Sequence, residues 1–234
     1  MSDELDFVVV VPARMGSTRL PGKVLEDIGG EPMAVRVARI AQAAGAREVV
    51  IATDSTLALG ALQYAAPAGV EVMLTSEKCR NGTERCAEVA RVRGWHPGQV
   101  VVNLQGDEPL MAPQNVRQVA AMVKQNPGAS TLAWTDPMIQ GVTVATAGNG
   151  RALWFSRRRI SDRVHMGIYG YAVCVLERLA ELYPCPAEEW ESLEQLRWLW
   201  RNWPVYVDEA HHAPGRAVDT AEDLEAVRLM VSCG

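Results

Sequence analysis

"DFVVVVPARMGSTRLPGKVL", residues 6–25, joins two kinds of sequence whose meeting point decides the fold. The apolar run Phe7–Val11 does not alternate with polar residues, so it predicts a strand buried on both faces. Such a strand belongs in a parallel sheet covered by helices on both sides. The strand gives way to a turn of glycine, proline and small residues carrying three cations, Arg14, Arg19 and Lys23, within ten residues.

Further along, short apolar runs alternate with helical stretches. "PMAVRVARIAQAAG" (32–45) has the apolar spacing of one helix face and ends on glycine, and "REVVIATD" (47–54) reads as a second strand. A helix around 56–66, a strand at 69–75 and a helix at 83–94, with Thr83 as its cap, come next. "QVVVNLQGDEP" (99–109) is a fourth strand running into a turn, followed by a helix at 113–125. This alternation predicts an α/β fold with a Rossmann-like, mostly parallel sheet. Ligands bind such sheets at the carboxyl ends of the strands, so the loops 12–23 and 105–109 should face one crevice.

The pattern loosens after about residue 128. "TLAWTD", "RALWFS" and "GIYGYAVCV" read as strands without long helices between them, which predicts a small antiparallel extension over about 128–175. Helices at 175–183 and 187–201, a strand at 204–208 and a closing helix opened by Asp219 or Thr220 complete a single domain of 234 residues.

The net charge of −5 supplies no general field for a nucleic-acid backbone, so an anion would be held by a local cluster. No apolar run has the length of a membrane span, and the acidic start "MSDELD" lacks the features of a secretory signal. Five cysteines without a C-x-x-C pair read as reduced thiols of a cytoplasmic protein.

Three stretches bear chemistry. The opening turn is not a Walker A loop, because Val24 follows Lys23 where a magnesium-binding Ser or Thr would stand. It still offers close backbone approach and positive charge at a strand end, the physics of phosphate binding. "QGDEP" (105–109) ends a buried strand in two carboxylates, which suits a magnesium ion (Mg2+) shared with substrate phosphates, or simply a turn. "AVDTAEDL" (217–224) is either a helix cap or a source of a second metal ligand, Asp219. The arginines 157, 158, 159 and 163 beside His165 form either a solvated face or a pocket for an acidic substrate.

The blocks "VPARMGSTRLPGKVL", "IATD", "NGTER", "NLQGDEP", "FSR", "HMGIYGY", "LEQLR" and "VDTAEDL" stand in the order found in the CMP-Kdo synthetase (3-deoxy-manno-octulosonate cytidylyltransferase) family. The chain resembles that family over nearly its whole length. The resemblance implies a nucleotidyltransferase fold, a homodimer, and magnesium-dependent transfer of CMP from CTP to a small anionic acceptor, with release of pyrophosphate. It implies that Arg14, Lys23 and Asp107 carry catalysis and that Asp107 and Asp219 bind magnesium. It implies a nucleotide site at Ala13, Arg14, Gly16, Lys23, Asn81, Gly82, Thr83, Arg85 and Gln105. Arg157, His165, Tyr169, Glu194 and Gln195 match its acceptor contacts.

Departures fall on the acceptor and dimer side. Thr143 replaces a lysine of the family pattern, Ala172 replaces an arginine after "GIYGY", and the segment between "FSR" and "HMGIYGY" is short and arginine-rich. A similar cytidylyltransferase activates phosphonoformate, and a compact arginine-rich end would suit so dense an anion. These departures lean the expectation toward a phosphonate acceptor, with Kdo as the alternative. A non-catalytic CTP-binding protein, or a structural protein whose acidic motifs are only caps and turns, ranks below both.

Overall fold

The computed structural model describes residues 5–232. The N-terminal reading and Cys233 therefore fall wholly or partly outside the described residues. At the centre stands β1 (Phe7–Pro12), flanked on one side by β2 (Glu48–Thr53) and β3 (Val70–Leu74) and on the other by β4 (Val100–Leu104), all parallel. The valine run explains itself here. Phe7, Val9 and Val11 enter one hydrophobic cluster, while Val8 and Val10 enter the cluster on the opposite face. Helices α1 (Met33–Ala43), α2 (Thr56–Ala65), α3 (Gly82–Arg93) and α4 (Pro113–Val123) connect the strands, within two residues of the ranges read from sequence.

The second half differs from expectation. β5 (Ala129–Thr135) and β8 (Arg163–Ala172) are members of the main sheet, whose order is β3-β2-β1-β4-β8-β5-β9, with β9 at Val205–Glu209. β8 runs antiparallel to both β4 and β5, and β9 is parallel to β5, so β8 alone is reversed along this path. Ile168 and Tyr171 go to opposite clusters, so β8 is buried on both faces and belongs inside the sheet. The antiparallel extension shrinks to the hairpin of β6 (Thr143–Thr146) and β7 (Ala152–Ser156).

After α5 (Val173–Ala180), the expected helix at 187–201 is broken into α6 (Pro186–Glu191) and α7 (Gln195–Trp200). The break is at Ser192, whose φ of 52° is left-handed. Glu191 is drawn toward β7, where its carboxylate accepts from Ser156 Oγ at 2.8 Å and the Arg157 amide at 2.9 Å. α8 (Ala221–Ser232) closes the chain, packing Leu224 and Val227 against Ile28 and Met33 in a small separate cluster. Because β8 is reversed, its amino end meets the carboxyl ends of β1, β4 and β5 along one rim.

Candidate active site

A cavity of about 450 Å³ opens on that rim. The loop after β1 forms one wall. Gly22 turns it with a φ of 71°, and Lys23 then starts a short 3-10 turn, Lys23–Leu25. The loop after β4 lies directly against it, since a Cβ on Gly106 would stand 2.6 Å from the Pro12 carbonyl oxygen. The two loops do face one crevice.

Lys23 is the hub. Its Nζ donates to Asp107 Oδ2 at 2.8 Å, to Asp219 Oδ1 at 3.0 Å and to the Val218 carbonyl at 2.8 Å. Burial works against its charge, but the Asp107 and Asp219 carboxylates outweigh that and hold the ammonium above its ordinary range. Asp219 is available for this because Thr220 does the capping. The Thr220 hydroxyl accepts the Asp223 amide at 3.2 Å, and Asp223 accepts the Thr220 amide at 3.1 Å. Arg19 pairs with the other Asp219 oxygen at 2.9 Å. Two carboxylates thus converge on one cation-sized point, beside a loop that also offers Arg14, Ser17 and Thr18 to the cavity.

The opposite wall comes from α3. Its cap is Asn81, whose Oδ1 accepts the Glu84 amide at 2.8 Å; Thr83 lies inside the helix, contrary to the sequence reading. Gly82 sits under Gln105, and a Cβ there would be 2.9 Å from Gln105 Nε2. Arg85 is buried yet touches the cavity, and its guanidinium is held by Asp54 at 3.1 Å.

On the third side stand Arg157, His165, Tyr169, Glu194 and Gln195, all bordering the cavity. Arg157 gives Nε to the Glu191 carbonyl at 2.7 Å and Nη2 to the Ser192 carbonyl at 3.1 Å, tying β7 to the α6–α7 turn. Burial raises the Glu194 carboxyl to about 7, opposed by Thr83 and Arg197, and its Oε1 is buried without a partner among the described residues. Burial also pushes the Tyr169 phenol well up.

Three predicted site residues stand elsewhere. Ala13 is buried, and its amide donates to the Ala52 carbonyl. Gly16 borders a neighbouring hollow with Asp54 and Ser55. Thr83 is buried behind the wall, its Oγ1 3.5 Å from the Tyr171 hydroxyl.

The departures behind the phosphonate expectation also move. Thr143 is a buried structural residue, donating to the Arg158 carbonyl at 3.0 Å and accepting the Ile160 amide at 3.1 Å. Ala172 pairs with Val100 at the end of β8 away from the cavity. Of the four arginines only Arg157 borders the cavity. Arg159 pairs with Asp162 and Arg163 with Thr146, and Arg158 is exposed. Sequence reading missed Arg80, Ser17 and Thr18 on the rim; Arg80 immediately precedes "NGTER", the one available signal.

A model of the cytidylyltransferase family matches residues 8–209, most of the chain. The protein belongs to the cytidylyltransferase family. This cytidylyltransferase is 41% identical over 251 residues to the 3-deoxy-manno-octulosonate cytidylyltransferase of Neisseria gonorrhoeae, covering 96% of this chain and 98% of that one. It is 39% identical over 257 residues to the enzyme of the same name from Idiomarina loihiensis, covering 98% and 100%. Among solved structures it resembles a CMP:2-keto-3-deoxy-manno-octonic acid synthetase complexed with CTP, with a TM-score of 0.86 and 33% identity over 97% and 99% of the two chains. A cytidylyltransferase from Leptospira borgpetersenii, 18% identical with a TM-score of 0.67, shares the fold over 98% and 88%. The mixed α/β sheet is that of these nucleotidyltransferases.

Proposed function

We propose that this cytidylyltransferase joins CMP, taken from CTP, to 3-deoxy-manno-octulosonate and releases pyrophosphate, with Mg2+ as its metal. The observation that carries the transfer chemistry is the convergence of Asp107 and Asp219 on the Lys23 ammonium at 2.8 and 3.0 Å. Two carboxylates fit a magnesium ion that takes its remaining oxygens from substrate phosphates and water. When bound, the ion neutralises charge at the α-phosphate and the departing pyrophosphate.

The chain's own groups do the rest. Arg14 and Lys23 neutralise the triphosphate, the Ser17 and Thr18 hydroxyls donate hydrogen bonds to it, and Asn81, Gly82, Arg85 and Gln105 border the space for the cytidine. Arg157, Glu194 and Gln195 orient the sugar acid for in-line attack. Its anomeric hydroxyl oxygen bonds to the α-phosphorus, the bond to the β-phosphate oxygen breaks, and the hydroxyl proton leaves to water. The name shared by the relatives supports the sugar acid over the phosphonate. So does the position of Thr143, Ala172 and three of the four arginines away from the cavity.

A further part of the reading concerns assembly and setting. Within the acceptor and dimerisation extension expected over about 128–175, the β6–β7 hairpin carries Leu153 and Trp154 on its surface and is our candidate for pairing in a homodimer. The free thiols Cys79, Cys86, Cys174 and Cys185 suit the cytoplasm, and no described helix is long and apolar enough to cross a membrane.

The test is pyrophosphate release from CTP with Mg2+, run in parallel on Kdo and phosphonoformate. Turnover of Kdo is expected; turnover of phosphonoformate alone overturns the assignment of the acceptor.

A further inference from the structure

Strand β8 does not pair evenly with β5. Thr131 opposes Tyr169 and Ala133 opposes His165, so between these pairs one residue of β5, Leu132, faces three of β8, Met166 to Ile168, and the strand bulges there. Bulges re-aim side chains and often stand beside active sites. This one lies on the rim, and Gly167 within it passes close to Glu108: a Cβ there would be 3.0 Å from the carboxylate.

The Thr131 hydroxyl fills the bulge. Thr131 is fully buried, and its Oγ1 lies 2.6 Å from the Ile168 carbonyl oxygen, 3.4 Å from the Met166 carbonyl oxygen and 3.0 Å from His165 Nε2. A hydroxyl has one proton, and a carbonyl oxygen can only accept. The proton therefore goes to Ile168, and the oxygen is left as an acceptor toward the ring. His165 Nε2 must then carry a hydrogen.

We propose that Thr131 is a positioning residue that fixes His165 as the Nε2–H tautomer, leaving Nδ1 as a hydrogen-bond acceptor that reads a hydroxyl of the sugar acid. His165 borders the cavity, and Nδ1 has no protein partner among the described residues. Phe155, edge-on at 5.1 Å, and Tyr169, tilted at 5.2 Å, hold the plane of the ring, and the Thr131 contact at Nε2 sets which edge faces β5. Burial lowers the imidazole to about 3, which keeps it neutral at working pH.

The chemical consequence is selectivity. A neutral acceptor attracts an O–H donor and repels an ionised oxygen, so this position favours a polyhydroxylated acid over a phosphonate whose oxygens only accept. The inference rests on the acceptor reading given above, but its central claim, the tautomer, is measurable without substrate.

The experiment uses the full chain with 15N-labelled histidine, the His165 ring signals being assigned by difference from His165→Gln. The wild-type spectrum is expected to show protonated Nε2 and unprotonated Nδ1; protonated Nδ1 overturns the proposal. In kinetics, Thr131→Val is expected to raise the KM for Kdo roughly 10-fold, the loss of about one hydrogen bond, with the KM for CTP unchanged. Thr131→Ser restores the hydroxyl and should return both tautomer and KM to wild-type values. Should Thr131→Val fail to fold, the wild-type spectrum and Thr131→Ser still decide. A Thr131→Val enzyme with the same ring signals and the same KM overturns the proposal. Protonated Nε2 in an enzyme that turns over no hydroxylated acid supports the role of Thr131 while overturning the acceptor reading.

Discussion

Asp54 joins two walls of the cleft through one carboxylate: its Oδ2 lies 3.1 Å from Nη2 of the buried Arg85, while its Oδ1 accepts the Met15 amide at 3.1 Å. The end of β2 thereby sets both the loop after β1 and the first turns of α3. Asp54→Ala leaves the Arg85 guanidinium without its carboxylate and the loop without its anchor. Removing one partner of a buried pair costs about 3 kcal/mol or more. The expected outcome is a Tm lower by several degrees and a raised KM for CTP, read by thermal melting and by pyrophosphate release.

Asp107→Asn keeps an oxygen that can accept from Lys23 but removes one negative charge from the pair with Asp219. The fold should hold, with a Tm close to wild type. Turnover should fall by about 10³ or more, since charge stabilisation at a transferring phosphoryl group is worth several kcal/mol. Steady-state rates at saturating CTP and Mg2+ check this; a near-normal rate would remove the metal role of Asp107.

Glu194 sets a pH dependence. Its carboxyl titrates at about 7 in the fold against an ordinary 4.5, chiefly because it is buried. The native state therefore holds a proton that the unfolded chain releases between those values. That contribution to stability is complete below about 4.5 and is lost as pH rises through 7. Glu194→Gln should abolish this slope and stabilise the protein at pH 8 by on the order of 2 kcal/mol. Denaturant melts of both proteins from pH 5 to 8 measure it.

CTP with Mg2+ should stabilise the enzyme. At 100 times its Kd a ligand that binds only the native state adds about 2.7 kcal/mol, worth roughly 5–10 °C in a chain of this size. Thermal shift with and without EDTA checks both the nucleotide and the metal; no shift with either would sink the nucleotide site.

Much of this was readable in the chain because local signals and global fold agree. Four consecutive valines demanded a sheet covered on both faces, and Gly45 and Gly94 stop helices where they stand in the sequence. That the antiparallel strand β8 lies inside the main sheet, and not in a separate extension, was not readable, since its pairing with β4 joins residues more than sixty positions apart. The break at Ser192 was hidden too, because its cause, Glu191 turning to Ser156, is a contact between residues 35 apart. Asp219 could be read as cap or ligand from sequence; Thr220 and Asp223 take the cap, and the Asp219 carboxylate accepts from Lys23. The arginine cluster misled because adjacent side chains on an exposed strand end point apart, leaving Arg157 alone on the cavity.

Asp219 reaches the cleft from the lead-in to α8, an element held by a small cluster of its own around Ile28, Met33, Leu224 and Val227 and by Arg228 on the Asp27 carbonyl. Segments with so little shared core open at lower free energy than the sheet they rest on. Undocking α8 would carry away one of the two carboxylates while β1, β4 and Lys23 stayed in place. Warming should then silence the enzyme before the sheet melts, with amides of α8 exchanging their hydrogens sooner than those of β1. On that expectation α8 would act as the latch of the site, and activity would be lost at a lower temperature than the sheet.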